Sequence, residues 1–272
     1  LQIKRESFYP KEEILDDIVY ACHNSNPDCI TFVGDGEPTL FHYLGWLIRN
    51  VTQRVKVPIA VITNGSLLYR KDVQQDLELA DIVMASVDAG DERHFHMINR
   101  PHSGIDYHTV IDGICDFSSV YRGSLWIEVM LVKGLNDSEE ELIKINKIIK
   151  KISPSRVYLL MPIRPPAEKW VSVPDPANIM LARELINKSI PIVEYESNDL
   201  GLQNYHNAEQ AILNIGKYHP LRKEQIEKII DHFGDHAIMN QLLEIGRLKL
   251  INYDGTDFFI PNELFGKMKS QQ

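Results

Sequence analysis

Short apolar runs alternate with helical patterns along the first two thirds of this 272-residue chain, and this alternation limits the fold more than any other feature. The runs cover residues 30–33, 58–63, 81–86, 125–132 and 156–160. Strands that are apolar on both faces and alternate with helices are typical of a parallel sheet covered by helices. We therefore predict an α/β fold built on a parallel sheet.

The segments between these runs have the residue pattern of helices. Pro10 precedes the first of them, and Ser138 and Glu141 stand at capping-box spacing before a later one. Each predicted strand is thus followed by at least one helix, which is how parallel strands are connected. The predicted helices are 10–23, 43–52, 71–79, 92–98, 107–118, 138–152 and 176–188, and residues 191–195 are a further candidate strand.

Polar residues and glycines gather where the predicted strands end. They occupy residues 34–39, 63–65, 86–90, 134–137 and 161–166. The carboxyl ends of parallel strands share one edge of a sheet, and ligands of α/β proteins bind at that edge. These five loops therefore indicate one binding site.

The first of these loops, Gly34-Asp35-Gly36-Glu37-Pro38-Thr39, has the clearest ligand signal. Its two glycines leave the backbone open to a ligand, and the Glu37 carboxylate can hold a cationic amine. The alternative is a strand-to-helix turn in which Glu37 is merely solvated. The segment by itself leaves both interpretations open.

The tail of the chain has a different pattern. Residues 220–233 and 235–245 are predicted helices, and residues 248–253 and 256–260 flank the hairpin signal Asp254-Gly255. Two helices and a hairpin outline a winged-helix-like domain, so we predict domains at residues 1–215 and 216–272. From Gly216 onward 8 Lys/Arg stand against 8 Asp/Glu, which favours a docking or covering role over the reading of nucleic acid.

Composition argues against several classes of protein. The net charge of −9 speaks against extensive contact with nucleic acid. No apolar run approaches the roughly 18 residues of a membrane span, and no signal peptide opens the sequence. The three cysteines, Cys22, Cys29 and Cys115, form no Cys-x2-Cys pair, which argues against a disulfide framework or a zinc site. We expect a cytoplasmic protein that does not bind membranes.

Five sequence blocks, in order, resemble the radical S-adenosylmethionine (SAM) superfamily. They are GDGEPTL, ITNGSLL, SVDAG with FHMINRPH, LWIEVMLVKGLNDSEEEL and VYLLMPIRPPAE. The resemblance runs from about Ser7 to Ala167 and is closest to the iron–sulfur oxidoreductases grouped with the wyosine-forming tRNA enzymes. It implies a partial (β/α)6 barrel of the TIM type that binds SAM.

The resemblance also implies roles for particular residues. Gly34, Gly36 and Glu37, with Pro38 and Thr39 beside them, match the segment that holds the SAM amino group. The remaining matches to positions around SAM are Asn64, Ser86, Asp88, Glu128 and Met161. Turn capping stays open for Ser86 and Asp88, an ion pair for Glu128 and simple packing for Met161.

A second set of residues is matched to the mouth of the barrel. Asn99, Arg100, His102 and Arg164 are candidates for substrate binding, with a surface salt bridge as the alternative for each arginine. Asn136 and Asp137 match a family loop as well, although the start of the next helix explains them better.

One departure from the family is large. The family binds a [4Fe–4S] cluster through three cysteines spaced Cys-x3-Cys-x2-Cys, because such clusters need thiolate ligands. Here six residues separate Cys22 from Cys29, and no such triplet exists. In the family the triplet shortly precedes the segment that resembles residues 4–10. We therefore expect the first strand and the cluster cysteines upstream of Leu1, and no metal ligand within this chain.

The resemblance implies an enzyme that takes an electron from a donor protein, cleaves SAM and uses a 5′-deoxyadenosyl radical on a substrate. Without cluster ligands this chain itself should be catalytically silent. The alternative is a cluster-free SAM- or nucleotide-binding protein whose tail docks on the barrel or on a protein partner. An ordinary barrel lyase or isomerase would need a phosphate loop or a metal site, and the sequence has neither pattern. Transfer RNA, a peptide and a small molecule all stay open as substrates.

Overall fold

The computed structural model describes residues 2–25, 27–34, 36–166, 168–186, 189–191, 200–218, 220–253 and 255–262. The chain forms two compact units. The first consists of Leu1–Met161 with Val173–Ile192, and the second of Pro162–Ser172 with Val193–Gln272. The domain boundary predicted at residues 215 and 216 falls inside the helix Ala208–Tyr218, because the apolar side of that helix packs in the core of the second unit.

A six-stranded parallel sheet organises the first unit. Its strands lie side by side in the same order as along the chain. This arrangement confirms the α/β class and the parallel sheet, and it is consistent with a partial radical SAM barrel. The strands are β1 Ile30–Phe32, β2 Ile59–Thr63, β3 Ile82–Ser86, β4 Ser124–Met130, β5 Arg156–Leu160 and β6 Ser189–Pro191.

The connections between the strands are helical. Up to the sixth helix, the observed bounds agree with the predicted ones to within two residues. Ser138 caps that helix as expected, since its Oγ accepts a hydrogen bond from the Glu141 backbone nitrogen at 3.4 Å. The helices are α1 Lys11–Ser25, α2 Leu44–Arg54, α3 Lys71–Leu77, α4 Glu92–Ile98, α5 Tyr107–Val120, α6 Glu139–Ile152 and α7 Pro176–Leu185.

The two faces of the sheet differ in exposure. On β4, Leu125, Ile127 and Val129 are buried and pack with helix residues in one core, whereas Trp126 and Glu128 between them are partly exposed. Successive side chains of a strand point to opposite faces. Glu128 therefore lies on the open face of the sheet.

The second unit has its own core and its own sheet. In that sheet β9 lies between β7 and β8 and is antiparallel to both. The elements are α8 Ala208–Tyr218, β7 Leu221–Arg222, α9 Lys223–Phe233, α10 Ile238–Glu244, β8 Leu248–Tyr253 and β9 Thr256–Pro261.

Two predictions for this unit were wrong in detail. Residues 221–222 form β7 and not the start of a helix, because Leu221 pairs with the distant Phe259, which local periodicity does not reveal. The next helix starts at Ile238, three residues later than predicted. The hairpin is confirmed, since Tyr253 pairs with Thr256 and Gly255 has a φ of 77°. Asp254 and residues 192–195 of the candidate strand lie outside the described residues; β6 ends at 191.

In the described part of the chain, none of the helices has both the length and the apolar character that crossing a bilayer requires.

Gly113 of α5 lets this helix pack directly on the chain at Tyr69, since a Cβ built on Gly113 would lie 2.7 Å from the Tyr69 Cα. We expect Gly113→Ala to lower the free energy of unfolding by about 1–3 kcal/mol, because overpacking outweighs the roughly 1 kcal/mol by which alanine favours a helix over glycine. Urea denaturation measures the change. Ser119→Ala on the exposed side of α5 is the control, and equal effects of the two variants would contradict the packing argument.

Candidate functional site

The Glu37 carboxylate is fixed at the carboxyl edge of the sheet by four hydrogen bonds. Its Oε1 accepts from the Thr39 backbone nitrogen at 3.0 Å, from Thr39 Oγ1 at 2.6 Å and from Thr63 Oγ1 at 2.6 Å. Its Oε2 accepts from the Asn64 backbone nitrogen at 2.7 Å. Oε1 therefore has three donors, whereas Oε2 has one and keeps the capacity to accept another. A carboxylate held in this way suits a cationic group of a ligand.

A cavity of about 340 Å³ lies beside Glu37. Three residues of its wall are predicted to bind SAM, namely Gly36, Glu37 and Asn64. Three others are predicted to bind a substrate, namely Asn99, Arg100 and His102. Residues from loops after β1, β2 and α4 thus meet at one place. Their role in binding stays a prediction.

A second cavity, of about 840 Å³, borders the same loop. Gly34, Gly36, Glu37 and Pro38 line one part of it, and the rest is largely apolar, with Phe8, Ile14 and Phe32 among the lining side chains. The segment of residues 36–41, which we call the Glu37 loop, therefore borders both cavities.

Ser86 and Glu128 form a pair on neighbouring strands. They stand opposite each other in the register of β3 and β4, and Ser86 Oγ donates to Glu128 Oε1 at 2.6 Å. Burial raises the pKa of Glu128, and the hydrogen bond from Ser86 partly offsets that rise. The ion pairs seen among the residues that the structure describes do not include Glu128.

Asp88 is buried, and each of its two carboxylate oxygens accepts a hydrogen bond. Oδ2 accepts from Asn99 Nδ2 at 2.7 Å, and Oδ1 accepts from the Met130 backbone nitrogen at 2.8 Å. Burial raises the pKa of Asp88 to about 6; these two hydrogen bonds oppose the rise and the Glu128 charge adds to it. Asp88 therefore orders Asn99, which lines the 340 Å³ cavity.

The segment that follows α4, residues 99–102, begins with a turn. Asn99 is the C-cap residue of α4. Arg100 has a φ of 47°, in the left-handed region that few residues other than glycine adopt. His102 Nδ1 accepts from the Gly104 backbone nitrogen at 2.9 Å, so the neutral ring carries its hydrogen on Nε2. The buried Oδ1 of Asn99 has no hydrogen-bond partner within the described residues.

The remaining residues predicted for the site are Asn136, Asp137, Met161 and Arg164. Asn136 donates to the Asp88 and Met130 carbonyl oxygens at 2.8 Å each, and Asp137 accepts from Gly134 N at 2.7 Å, which agrees with a structural role. Met161 directly follows β5 and is partly buried. Arg164 belongs to the second compact unit, so its place at the cavity stays a prediction.

Asp91, His94 and Glu141 are close enough to be considered as metal ligands. His94 Nδ1 lies 2.9 Å from Asp91 Oδ1 and 3.0 Å from Glu141 Oε2. Lys144 Nζ, however, contacts the other oxygens of both carboxylates, at 3.1 Å and 2.6 Å. Lys144 already supplies a cation to both carboxylates, so we interpret this group as an ion network that joins α4 to α6.

Arg5 contacts the site although no sequence pattern indicated it. Its side chain is only 5% exposed, and it donates to the Thr39 carbonyl oxygen at 2.9 Å and to the Phe41 carbonyl oxygen at 3.0 Å. An arginine in an otherwise exposed N-terminal segment carries no signal in a single sequence, because its acidic partners on α3 lie far away along the chain.

Comparisons with known proteins show which sequences and structures this chain is similar to. A family model described as the Radical SAM superfamily matches residues 2–145. A protein of Methanocaldococcus jannaschii named UPF0026 protein MJ1312 is 33% identical over 270 residues, covering 96% of this chain and 83% of that protein. A protein of Brachyspira hyodysenteriae named GTPase Obg is 43% identical over 159 residues, which are 58% of this chain and 23% of that protein.

Among solved structures, a radical SAM methyltransferase from Sphaerobacter thermophilus aligns with a TM-score of 0.49 and 16% identity. The alignment covers 67% of this chain and 57% of that one.

The environment of Asp88 predicts an unusual titration. We expect its carboxyl to titrate with a midpoint near pH 6, since its pKa is raised to about 6. The pKa of Asp in an unfolded chain is about 3.9, so the folded state binds the proton of the Asp88 carboxyl more tightly. The contribution of Asp88 to stability therefore rises as the pH falls from about 7 to about 4. Carbon-13 NMR of the carboxyl measures the midpoint.

Glu128→Gln should lower that midpoint, because it removes a like charge. Glu139→Gln, at an exposed site on α6, is the control and should leave it unchanged. A wild-type midpoint near 4 would contradict the assigned environment.

Proposed function

We propose that this chain, which belongs to the radical SAM superfamily, is the SAM-binding part of an enzyme that cleaves SAM reductively and acts on a substrate through a radical. The observation that carries the proposal is the Glu37 carboxylate, fixed by four hydrogen bonds beside a 340 Å³ cavity. The family match spans that loop.

The residues around Glu37 fit SAM. The ammonium of SAM can donate a charge-assisted hydrogen bond to Glu37 Oε2, which has the capacity to accept one more. The side-chain amides of Asn64 and Asn99 lie at the same cavity and supply further donors and acceptors. Leu40, Phe95 and Ile105 add apolar wall that excludes water around a bound ligand. These residues bind and orient SAM, and a fixed orientation is the protein's main share in such chemistry.

The cysteines of this chain do not fit an iron–sulfur cluster. Cys29 is exposed, Cys22 lies on α1 and Cys115 on α5, and they lack the spacing of a three-thiolate loop. A [4Fe–4S] cluster held by three thiolates would supply the electron for the reductive cleavage of SAM. We propose that its thiolates come from outside this sequence.

The proposal extends to the substrate and the partners. The chain spans 83% of the length of the Methanocaldococcus jannaschii protein and 23% of the length of the Brachyspira hyodysenteriae protein. Residues 1–215 hold 21 Lys/Arg against 30 Asp/Glu, which disfavours a large RNA and leaves a peptide or a small molecule as the better fit. An electron-donor protein and a cytoplasmic setting belong to the same proposal.

The SAM proposal is tested by binding and by cleavage. Anaerobic calorimetry should detect SAM binding to this chain, and Glu37→Gln should weaken it at least about tenfold, because a hydrogen bond to a charged group contributes about 1.5–3 kcal/mol. Glu139→Gln is the control. The full-length gene product, reconstituted with iron and sulfide and reduced, should release 5′-deoxyadenosine from SAM, whereas this chain should not. No binding by the wild-type chain, or no cleavage by the full-length protein, would contradict the proposal.

A second candidate is a SAM- or nucleotide-binding docking protein. The order α8, β7, α9, α10, β8, β9, with a hairpin at its end, supports a winged-helix-like interaction module. Ile245 and Leu250 are 65% and 51% exposed on that unit, which suits protein docking better than phosphate contact.

A docking role predicts little affinity for nucleic acid. We expect bulk tRNA and duplex DNA to bind this chain weakly and with a small dependence on salt, because few phosphates can be neutralised by a unit of balanced charge. Filter binding between about 50 and 200 mM salt measures the slope. A steep slope that Lys249→Ala and Lys223→Ala reduce would contradict the docking role and favour a nucleic-acid surface.

A further inference from the structure

The Arg5 side chain is a buried cation that donates hydrogen bonds to the Glu37 loop and to α3. Nε donates to the Thr39 carbonyl oxygen at 2.9 Å, and one terminal nitrogen donates to the Phe41 carbonyl oxygen at 3.0 Å. The terminal nitrogens also contact Asp72, at 3.0 Å, and Asp76. The planar guanidinium thus joins two backbone carbonyls to two carboxylates in one rigid arrangement.

The loop that Arg5 holds is the loop that holds Glu37. Thr39 accepts from Arg5 through its carbonyl oxygen and donates to Glu37 Oε1 through both its nitrogen and its hydroxyl. A displacement of Thr39 would therefore remove two of the four donors that orient the carboxylate. The N-terminal segment is fixed to the same loop by its backbone, since Glu6 N donates to the Leu40 carbonyl oxygen and His42 N donates to the Glu6 carbonyl oxygen, at 2.9 Å each.

The acidic partners of Arg5 are placed by a close helix contact. A Cβ on Gly45 of α2 would lie 2.8 Å from the Asp76 Cα, so only glycine lets α3 come this near. Asp76 is thereby brought under the guanidinium. Two carboxylates compensate its charge, which keeps the cation from repelling a positively charged ligand group at Glu37.

We propose that Arg5 is a positioning residue for SAM, acting through Thr39 on the Glu37 carboxylate. The inference rests on the proposed function and deepens it. It ties the segment 4–9 to the carboxylate that receives the SAM ammonium, so the position of that segment and the position of the ligand are set together.

The test compares Arg5→Met with Arg70→Met. Arg70 also binds Asp72, through two hydrogen bonds of 3.0 Å, but within the described part of the chain it makes no hydrogen bond to the Glu37 loop. Arg5→Met should weaken SAM binding about tenfold in anaerobic calorimetry, whereas Arg70→Met should leave it unchanged. In a Glu37→Gln background, Arg5→Met should cause no further loss, because two residues that act through one interaction are not additive.

Hydrogen exchange of the SAM-free protein provides a second readout. The amides of Thr39 and Asn64, both bonded to Glu37, should exchange faster in Arg5→Met and at the wild-type rate in Arg70→Met. Arg5→Lys should restore neither rate nor affinity, since one ammonium cannot serve both carbonyls and both carboxylates.

Each outcome is decisive for one statement. Unchanged exchange in Arg5→Met, or SAM affinities that fall additively with Glu37→Gln, would overturn the role of Arg5 and leave the SAM proposal intact. Absence of SAM binding by the wild-type chain would overturn the SAM proposal and with it the role of Arg5 toward SAM, while the exchange data would still report whether Arg5 orders the loop.

Discussion

The hydrogen bonds around Glu37 are the interaction on which the site depends. A carboxylate in a loop between a strand and a helix would normally be mobile and solvated. Here Thr63 and Asn64, at the end of β2, supply two of its four donors, and Thr39 supplies the other two. The site is therefore ordered before any ligand arrives, and the ordering cost is met during folding.

A second layer of contacts supports this first one. Asp88 orders Asn99 from within the sheet edge, and the ion network of Asp91, His94, Glu141 and Lys144 joins the start of α4 to α6. Both are built from groups that are costly to bury singly and that compensate one another. The loops of the carboxyl edge are thus held by polar contacts, while the apolar core fixes the strands that carry them.

Much of this structure was predictable from the sequence, and the exceptions have a common cause. The strands and helices of the first unit follow from apolar periodicity, and the convergence of Glu37 and Asn64 follows from parallel strand order. Asn99 follows a helix, and the family resemblance alone indicated it. What could not be predicted depends on distant partners. Arg5 meets Asp72 and Asp76 across the fold, Leu221 pairs with Phe259, and α8 belongs with the elements after it. The expectation of strands buried on both faces was too strong, since Glu128 and Trp126 face the open side of β4.

The position of β1 at the end of the sheet order has a practical consequence. Among the described residues it pairs with β2 along one side, and Val33 just beyond it is 63% exposed. Unpaired strand edges template association with other chains. We therefore expect that edge to be the place where a further strand would add to the sheet, and the three-residue length of β1 limits how many hydrogen bonds such a strand could gain there.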